Sequence, residues 1–350
     1  MHMADALISP AVGGTLWVVS GGLIAFCARK VKQTLRDNLV PMMGVLGAFI
    51  FAAQMINFSI PGTGSSGHLG GGLILTVLLG PYAAFIVIAS VLTVQALFFA
   101  DGGLLALGCN IFNLGVFPAF VAYPLIYRII AKGQYATTRA WVAAIVAGVV
   151  GLQLGALGVV LETKASGISE LPLGAFVLMM LPMHLAIGVV EGLATAAVVS
   201  FVAKARPEAL PTSGTDNVPG GLRPVLAGLA VAALVLGGVA SWFASSHPDG
   251  LEWSMFRVSG KEYLDAPAGG IHQTLAGLQE KTAFLPDYGF KTAETDHAPA
   301  EQAEPASESW PAVSAGTSVS GIVGGLITLA LAGVVGLALK ARRSARPLDL

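Results

Sequence analysis

The chain has 350 residues, of which 55% are apolar and only 11% charged, less than half the roughly 25% charged residues of an ordinary soluble domain. A mean hydropathy of +0.75 and a formal net charge of -1 exclude a conventional soluble enzyme, a disordered chain, and a nucleic-acid binder with a global basic footprint. The composition is that of an all-α polytopic membrane protein.

A helix needs about 20 apolar residues to cross the hydrocarbon core. About nine transmembrane helices are predicted, over 7–28, 40–57, 69–80, 82–100, 104–130, 139–162, 173–203, 222–243 and 317–339. Gly80-Pro81 divides residues 69–100 into two crossings, because proline lacks an N–H donor and ends or bends a helix. Arg29, Lys30, Lys32 and Arg36 follow the first run instead of preceding it, so that run is read as a retained helix, not a cleaved signal. Basic residues stay on the cytoplasmic side in short loops. Fourteen of the nineteen fall in one set of connections, including Arg128, Lys132, Arg139, Lys204, Arg206 and Arg223, and the opposite short loops hold only Lys164. The N-terminus is therefore expected outside and the C-terminus in the cytoplasm.

Residues 1–204 carry seven crossings with short loops, 205–221 read as a cytoplasmic linker rich in Pro, Gly, Ser and Thr, and 222–350 form a two-helix hairpin around an external loop at 244–316. That loop carries eleven acids against four bases, which suits either a cation-attracting surface or a solvated spacer. Its segment 294–309 is expected to be disordered. Cys27 and Cys109 lie in apolar runs without metal-site spacing and are read as packing residues.

Histidine at position 2 has a specific chemistry. A free α-amino group on Met1, the following peptide nitrogen and the His2 Nδ1 can close five- and six-membered chelate rings on one metal ion. If the amide is deprotonated, these in-plane nitrogens suit Ni(II) or Cu(II), and a distant imidazole completes the square. Met1 is expected to be retained because the following residue is large. A candidate fourth ligand is His68, in the glycine-rich loop Pro61-Gly-Thr-Gly-Ser-Ser-Gly-His68-Leu-Gly-Gly-Gly72, where backbone can approach a ligand closely. The alternative for that loop is a turn with a solvated histidine. Asp101 precedes the fifth run, and Asn110 and Asn113 share a helix face at i,i+3, suited either to orienting ligand imidazoles or to bonding backbone and neighbouring helices. His184 and Glu191 lie seven apart on one face of the seventh run and read as a structural pair. Glu191 is the one acid clearly inside a run. His247, His272 and His297 are not expected to bind metal stably.

Four motifs, occurring in order, carry a resemblance: Met1-His2-Met3-Ala4-Asp5-Ala6-Leu7-Ile8-Ser9-Pro10, Ser66-Gly67-His68-Leu69, the stretch from Asp101 to Asn113, and Pro182-Met183-His184 through Glu191-Gly192. Residues 1–204 resemble the substrate-binding component of nickel/cobalt energy-coupling-factor transporters. His247-Pro248-Asp249-Gly250-Leu251-Glu252 is similar to the PDGLE signature of the small companion subunit, here fused at the C-terminal side. The resemblance implies capture of Ni(II) or Co(II), as substrate and not as a resident cofactor, by the Met1 amine, the backbone nitrogen and imidazole of His2, and the imidazole of His68. It also implies partners, a membrane scaffold subunit and cytoplasmic ATPases, in a prokaryotic cell (inner) membrane. Where the family has an acid followed by Gly, this chain has Asp5-Ala6, which puts the bend of the N-terminal segment in question. Gly44, Ala48 and Ala52 recur every fourth residue in the second run, a small-residue stripe of the kind scaffold subunits dock on, or else a packing seam within this chain's own bundle.

No Gly-x-x-x-x-Gly-Lys-Ser/Thr phosphate loop and no His-Glu-x-x-His zinc motif occurs in this sequence, so neither ATP hydrolysis nor zinc proteolysis is expected of it. Two other functions compete: an ion-gradient-driven metal transporter, which would carry carboxylate relays along several helices, and a membrane metal sensor, which would carry a signalling domain. Nickel and cobalt are not distinguished by the sequence.

Overall fold

The computed structural model describes residues 2–34, 36, 38–207, 210, 222–291 and 310–344. Met1, most of the expected linker, the acidic segment 294–309 and His297 lie outside the described residues. After a 3-10 turn at Asp5–Leu7 come α1 (Pro10–Thr34), α2 (Leu39–Gln54), a small hairpin of β1 (Phe58–Ile60) and β2 (Ser65–Gly67), α3 (Gly72–Leu79) and α4 (Pro81–Phe99). The next helical segment runs as α5 (Leu107–Ile111), a π-helical stretch at Phe112–Tyr127 and α6 (Arg128–Ala131). Then follow α7 (Thr138–Ser166), α8 (Leu173–Ala205), α9 (Arg223–Gly238), α10 (Gly250–Ser259), α11 (Gly270–Thr282) and α12 (Ala315–Ser344).

Among the described residues six helical segments are long and apolar enough to cross a bilayer: Pro10–Gln33, Pro81–Phe99, Leu107–Ala131, Thr138–Ser166, Leu173–Ala205 and Ala315–Arg342. Two of the expected crossings, α2 and α9, are shorter apolar helices of 16 residues each. The third is different in kind. Helix α3 has 8 residues. At 1.5 Å per residue it rises about 12 Å, well short of a hydrocarbon core of roughly 30 Å. The rest of that run, Leu69 to Gly71, is non-helical chain that follows the β hairpin. Glycine makes this possible: Gly71 has φ +75, and a Cβ there would collide with Ile50. Every residue of α3 is buried, so its short ends meet protein and not lipid.

Helix α4 is the central post, with 78% of its apolar window buried, and α1, α2, α3, the π-helical stretch and α12 all pack on it. Cys27 and Cys109 are buried free thiols, as packing residues would be. The small-residue stripe on α2 does not face outward. A Cβ at Gly44 would stand 3.1 Å from the Leu329 carbonyl oxygen, and one at Gly47 would stand 3.2 Å from Thr328 Cγ2, so α12 lies directly on α2. Ala48 lines a small apolar cavity with Gly321 and Gly325 of α12 and Ala233 of α9. Ala52 is buried as well. Gly44 and Ala48 therefore lie in a seam for this chain's own C-terminal hairpin, which decides between the two expectations for the stripe against a scaffold-docking face there. Small residues let helix backbones meet where lipid supplies no hydrophobic drive for association. Gly44→Leu is expected to pry α12 from α2 at a cost of about 1–3 kcal/mol. A melting temperature in detergent equal to that of the wild type would contradict that seam.

Candidate metal centre

The site is assembled from four stretches of chain that meet at one end of the bundle: the N-terminal segment, the loop between α2 and α3, the loop between α4 and α5, and the loop of the C-terminal hairpin. The N-terminal segment is fixed by its backbone. Asn110 Oδ1 accepts from the Met3 N–H at 2.8 Å and Asn110 Nδ2 donates to the Met3 carbonyl at 3.3 Å, an amide-to-amide pairing from α5. Gly103 N–H donates to the Met3 carbonyl at 2.9 Å. Asp5 Oδ1 accepts from the Ala106 N–H at 2.9 Å, so the acid that precedes Ala6 anchors the segment.

These contacts carry His2 to His68. Their imidazoles stack with centroids 5.0 Å apart and 24° between planes. His2 Nδ1 donates to Asp101 Oδ1 at 2.7 Å, with the His2 side chain only 6% exposed, and its Nε2 is buried without a hydrogen-bond partner. His68 Nδ1 lies 3.0 Å from the Leu69 carbonyl oxygen. The structure thus brings His2, His68 and Asp101 together. It places Nδ1 of His2, the ring atom that the chelate requires, on Asp101. Burial, the larger cause, together with nearby positive charge pushes the His68 imidazole down to about 3, which keeps it neutral and ready to act as a ligand. Burial alone would raise the Asp101 carboxyl. The His2 imidazole and the Tyr288 hydroxyl outweigh it and hold the group below the usual carboxylate range.

The loop carrying His68 is clamped from two sides by buried polar groups. Glu191, from α8, accepts from the Gly70 N–H at 2.9 Å and from the Gly71 N–H at 3.0 Å. Gln54, from α2, donates to the Gly70 carbonyl at 2.8 Å and is itself held by Gln95 of α4 at 2.9 Å. The expected pairing of His184 with Glu191 is not formed. His184 Nδ1 instead bonds the Met180 carbonyl at 2.8 Å. The reason is length: seven residues of helix separate the two by about 10 Å. Asn110 and Asn113 also part company, for Asn113 Nδ2 donates to Glu162 Oε2 at 2.8 Å across to α7. Asn113 cross-links helices and does not reach His2. Glu162, a second acid within a span, corrects the reading of Glu191 as the single one. Glu191, Gln54 and Gln95 carried a usable signal, being polar residues inside apolar runs, which in membranes are ordinarily paired or functional.

The hairpin loop closes over this cluster, and each residue of the PDGLE signature has a local task. The Pro248 carbonyl accepts from the Ser66 N–H at 2.8 Å, joining the signature to β2 two residues before His68. Asp249 caps α10 by accepting from the Leu251 N–H at 2.7 Å and the Glu252 N–H at 2.9 Å. Glu252 reaches back to the Asp249 N–H at 2.9 Å, completing a capping box. Gly250 lies against His184 and Ile187, and Leu251 is buried. Burial opposes ionisation of Asp249, but nearby positive charge and the Glu252 N–H hold its carboxyl below the usual range.

Further along, His272 Nε2 bonds the Ile8 carbonyl at 2.9 Å, and Gln279 Nε2 donates to the Ala96 and Gly102 carbonyls, each at 2.8 Å. His272 therefore holds backbone through Nε2 while lining the same cavity as His2 and His68. The result is a cavity of about 570 Å³ walled by His2, His68, Asp101, Asp249, Glu252 and Tyr288, among others. Among the described residues no three His, Cys, Asp or Glu side chains are grouped to hold a metal ion, so the two imidazoles and the carboxylates beside them are a partial donor set.

The comparisons agree with this architecture in two blocks. The family described as "Cobalt uptake substrate-specific transmembrane region" matches residues 2–209, and the PDGLE domain matches residues 223–341. A relative from Archaeoglobus fulgidus is 33% identical over 334 residues, covering 95% of this chain and 96% of its own length. The fused nickel transport protein NikMN of Rhodobacter capsulatus is 30% identical over 310 residues, covering 82% of this chain and 88% of its own. The crystal structure of a truncated transition metal transporter is 30% identical, with a TM-score of 0.52, and covers 59% of this chain and 99% of that one. Two matched blocks in one polypeptide, and relatives similar across both, make this chain a member of the CbiM family of cobalt uptake substrate-specific transmembrane regions with a PDGLE domain fused behind it.

Proposed function

We propose that this chain is the substrate-capturing membrane subunit of an ATP-driven energy-coupling-factor importer that takes Ni(II) or Co(II) from the extracytoplasmic side of a prokaryotic cell membrane. The observation that carries the reading is the convergence of His2 and His68, stacked 5.0 Å apart in a cavity roofed by the PDGLE loop. The names of relatives, which speak of nickel, cobalt and transition metals, support a transported metal over a substrate to be chemically changed. The distribution of basic residues supports an external N-terminus and hairpin loop. With no nucleotide-binding motif in the sequence, power comes from a scaffold subunit and ATPase partners. Residues 1–204 form the capturing bundle, 205–221 the cytoplasmic linker, and 222–350 the hairpin that covers the site.

The ligand set is the Met1 amine, the His2 amide nitrogen, the His2 imidazole and the His68 imidazole. Loading requires the His2 Nδ1 to exchange Asp101 for the metal. The ring's other nitrogen, Nε2, is buried without a partner, and an N–H there offered to Asp101 is the arrangement in which a carboxylate orients a ligating histidine.

The test is Ni(II) uptake into vesicles containing this chain, its scaffold and its ATPases. Uptake that requires ATP and ceases when the scaffold is omitted is the expected result. Uptake sustained by an ion gradient without the ATPases would replace this reading with secondary transport, and binding with no uptake at all would favour a sensor.

The pH dependence has a definite sign. Ligand nitrogens bind metal only when deprotonated, so protons and metal compete. Because His68 stays neutral down to about 3, the competition at ordinary pH falls on the other ligands. The α-amine, with an ordinary pKa of about 7.7–8.0, is the first of them. Affinity for Ni(II) is expected to drop by at least about tenfold as pH is lowered from about 8 to 5.5, measured by calorimetric titration. A flat profile over that range would contradict an all-nitrogen site.

A further inference from the structure

At the far end of the hairpin loop, Asp287 and Tyr288 both adopt left-handed backbone, with φ of 49 and 58. Side chains of L-residues rarely accept this conformation, and two in succession persist only where surrounding structure imposes them. The consequence is that Tyr288 points inward. Its ring stacks on Phe99 with centroids 5.1 Å apart and 20° between planes, and meets Phe51 at 6.2 Å. Its hydroxyl donates to Asp101 Oδ2, while the other oxygen of the same carboxylate takes His2 Nδ1 at 2.7 Å.

We propose that Tyr288 is a positioning residue of the metal site, acting from the fused hairpin through Asp101 upon His2. The inference rests on the reading of His2 as a metal ligand. A carboxylate held at one oxygen keeps the other aimed. Released, Asp101 could swing into the cavity of about 570 Å³ that it lines. Two other long-range grips of the loop bear on main chain: His272 on the Ile8 carbonyl, and Gln279 on those of Ala96 and Gly102. They hold the roof in place, whereas Tyr288 reaches a side chain that touches a ligand. The hairpin thereby sets how well the site binds as well as covering it.

The experiment is a titration of the full-length protein, with its native N-terminus, with Ni(II) chloride. Tyr288→Phe keeps the stacked ring and removes only the hydroxyl. It is expected to weaken binding by about tenfold or more, within the 10–100-fold typical of groups that orient ligands, with a melting temperature close to that of the wild type. Asp101→Ala should weaken binding too, and Tyr288→Phe added to Asp101→Ala should cost nothing further, because the two act as one unit. Binding by Tyr288→Phe within twofold of wild type would overturn the proposal. So would an undiminished loss in the Asp101→Ala background or a collapse of the melting temperature, both of which would mark Tyr288 as structural. His2→Ala separates the two layers of argument. If it binds as tightly as wild type, the ligand assignment itself fails; if it loses binding while Tyr288→Phe does not, only the role of Tyr288 fails.

Discussion

His68→Ala is expected to weaken Ni(II) binding by at least about a hundredfold, and His2→Ala by as much. Four-ligand sites of borderline metals are worth on the order of 10–16 kcal/mol, so one nitrogen carries roughly 3 kcal/mol, or a little over two decades in affinity. The two rings stack in one cavity, so either loss leaves an incomplete set. His247→Ala is the control. What Ser66 uses of that residue is the backbone carbonyl, which the substitution keeps, so affinity should stay within a few-fold. The measurement is calorimetric titration of each purified variant. Equal losses at His247 and His68 would mean that the site has been misplaced.

Glu191→Ala is expected to be the most damaging change away from the metal. It strips two buried N–H groups, Gly70 and Gly71, of their acceptor. Each buried donor left unsatisfied costs about 1–3 kcal/mol, partly offset because a buried carboxylate no longer has to be desolvated. A net loss of about 2–4 kcal/mol in stability follows. The same change frees the chain next to His68, so Ni(II) affinity should fall by about 10–100-fold. Glu191→Gln retains a carbonyl oxygen and should fall between wild type and Ala on both measures. A Glu191→Ala protein that melts and binds like wild type would show that the clamp is idle.

The long spans were legible because 18 or more apolar residues have few other uses, and the small-residue stripe was legible as a place where backbones meet. Its partner was not. Gly44 and Ala48 read the same whether another subunit or α12 lies against them, and only the folded hairpin decides. The third crossing fell short in length as well as in conformation: even wholly helical, 69–80 would rise about 18 Å, and Gly71 at φ +75 is a backbone property that composition does not reveal. The meeting of His2 with His68 was foreseen from chelate chemistry and family resemblance. The supports were missed because their partners are main-chain groups. Nothing in the residue type of Gly70 announces that Glu191 and Gln54 will hold it. Spacing misled twice, for Asn110 and Asn113 share a face yet serve Met3 and Glu162 respectively, and His184 and Glu191 share a face yet stand too far apart to touch. The PDGLE signature was visible as a motif, while its capping box and its seat on Ser66 required the fold.

The central claim is that the chain's own N-terminal nitrogen takes part in holding the metal. The most direct measurement is the nickel content of protein purified with its N-terminus unaltered, set beside protein extended by one residue ahead of Met1, both after equilibration with Ni(II) and removal of free ion. Extension converts the amine into an amide and shifts the His2 imidazole out of the chelate. The account predicts about one nickel per chain for the unaltered protein and almost none for the extended one, in line with the loss of a ligand nitrogen; equal nickel in both would contradict it.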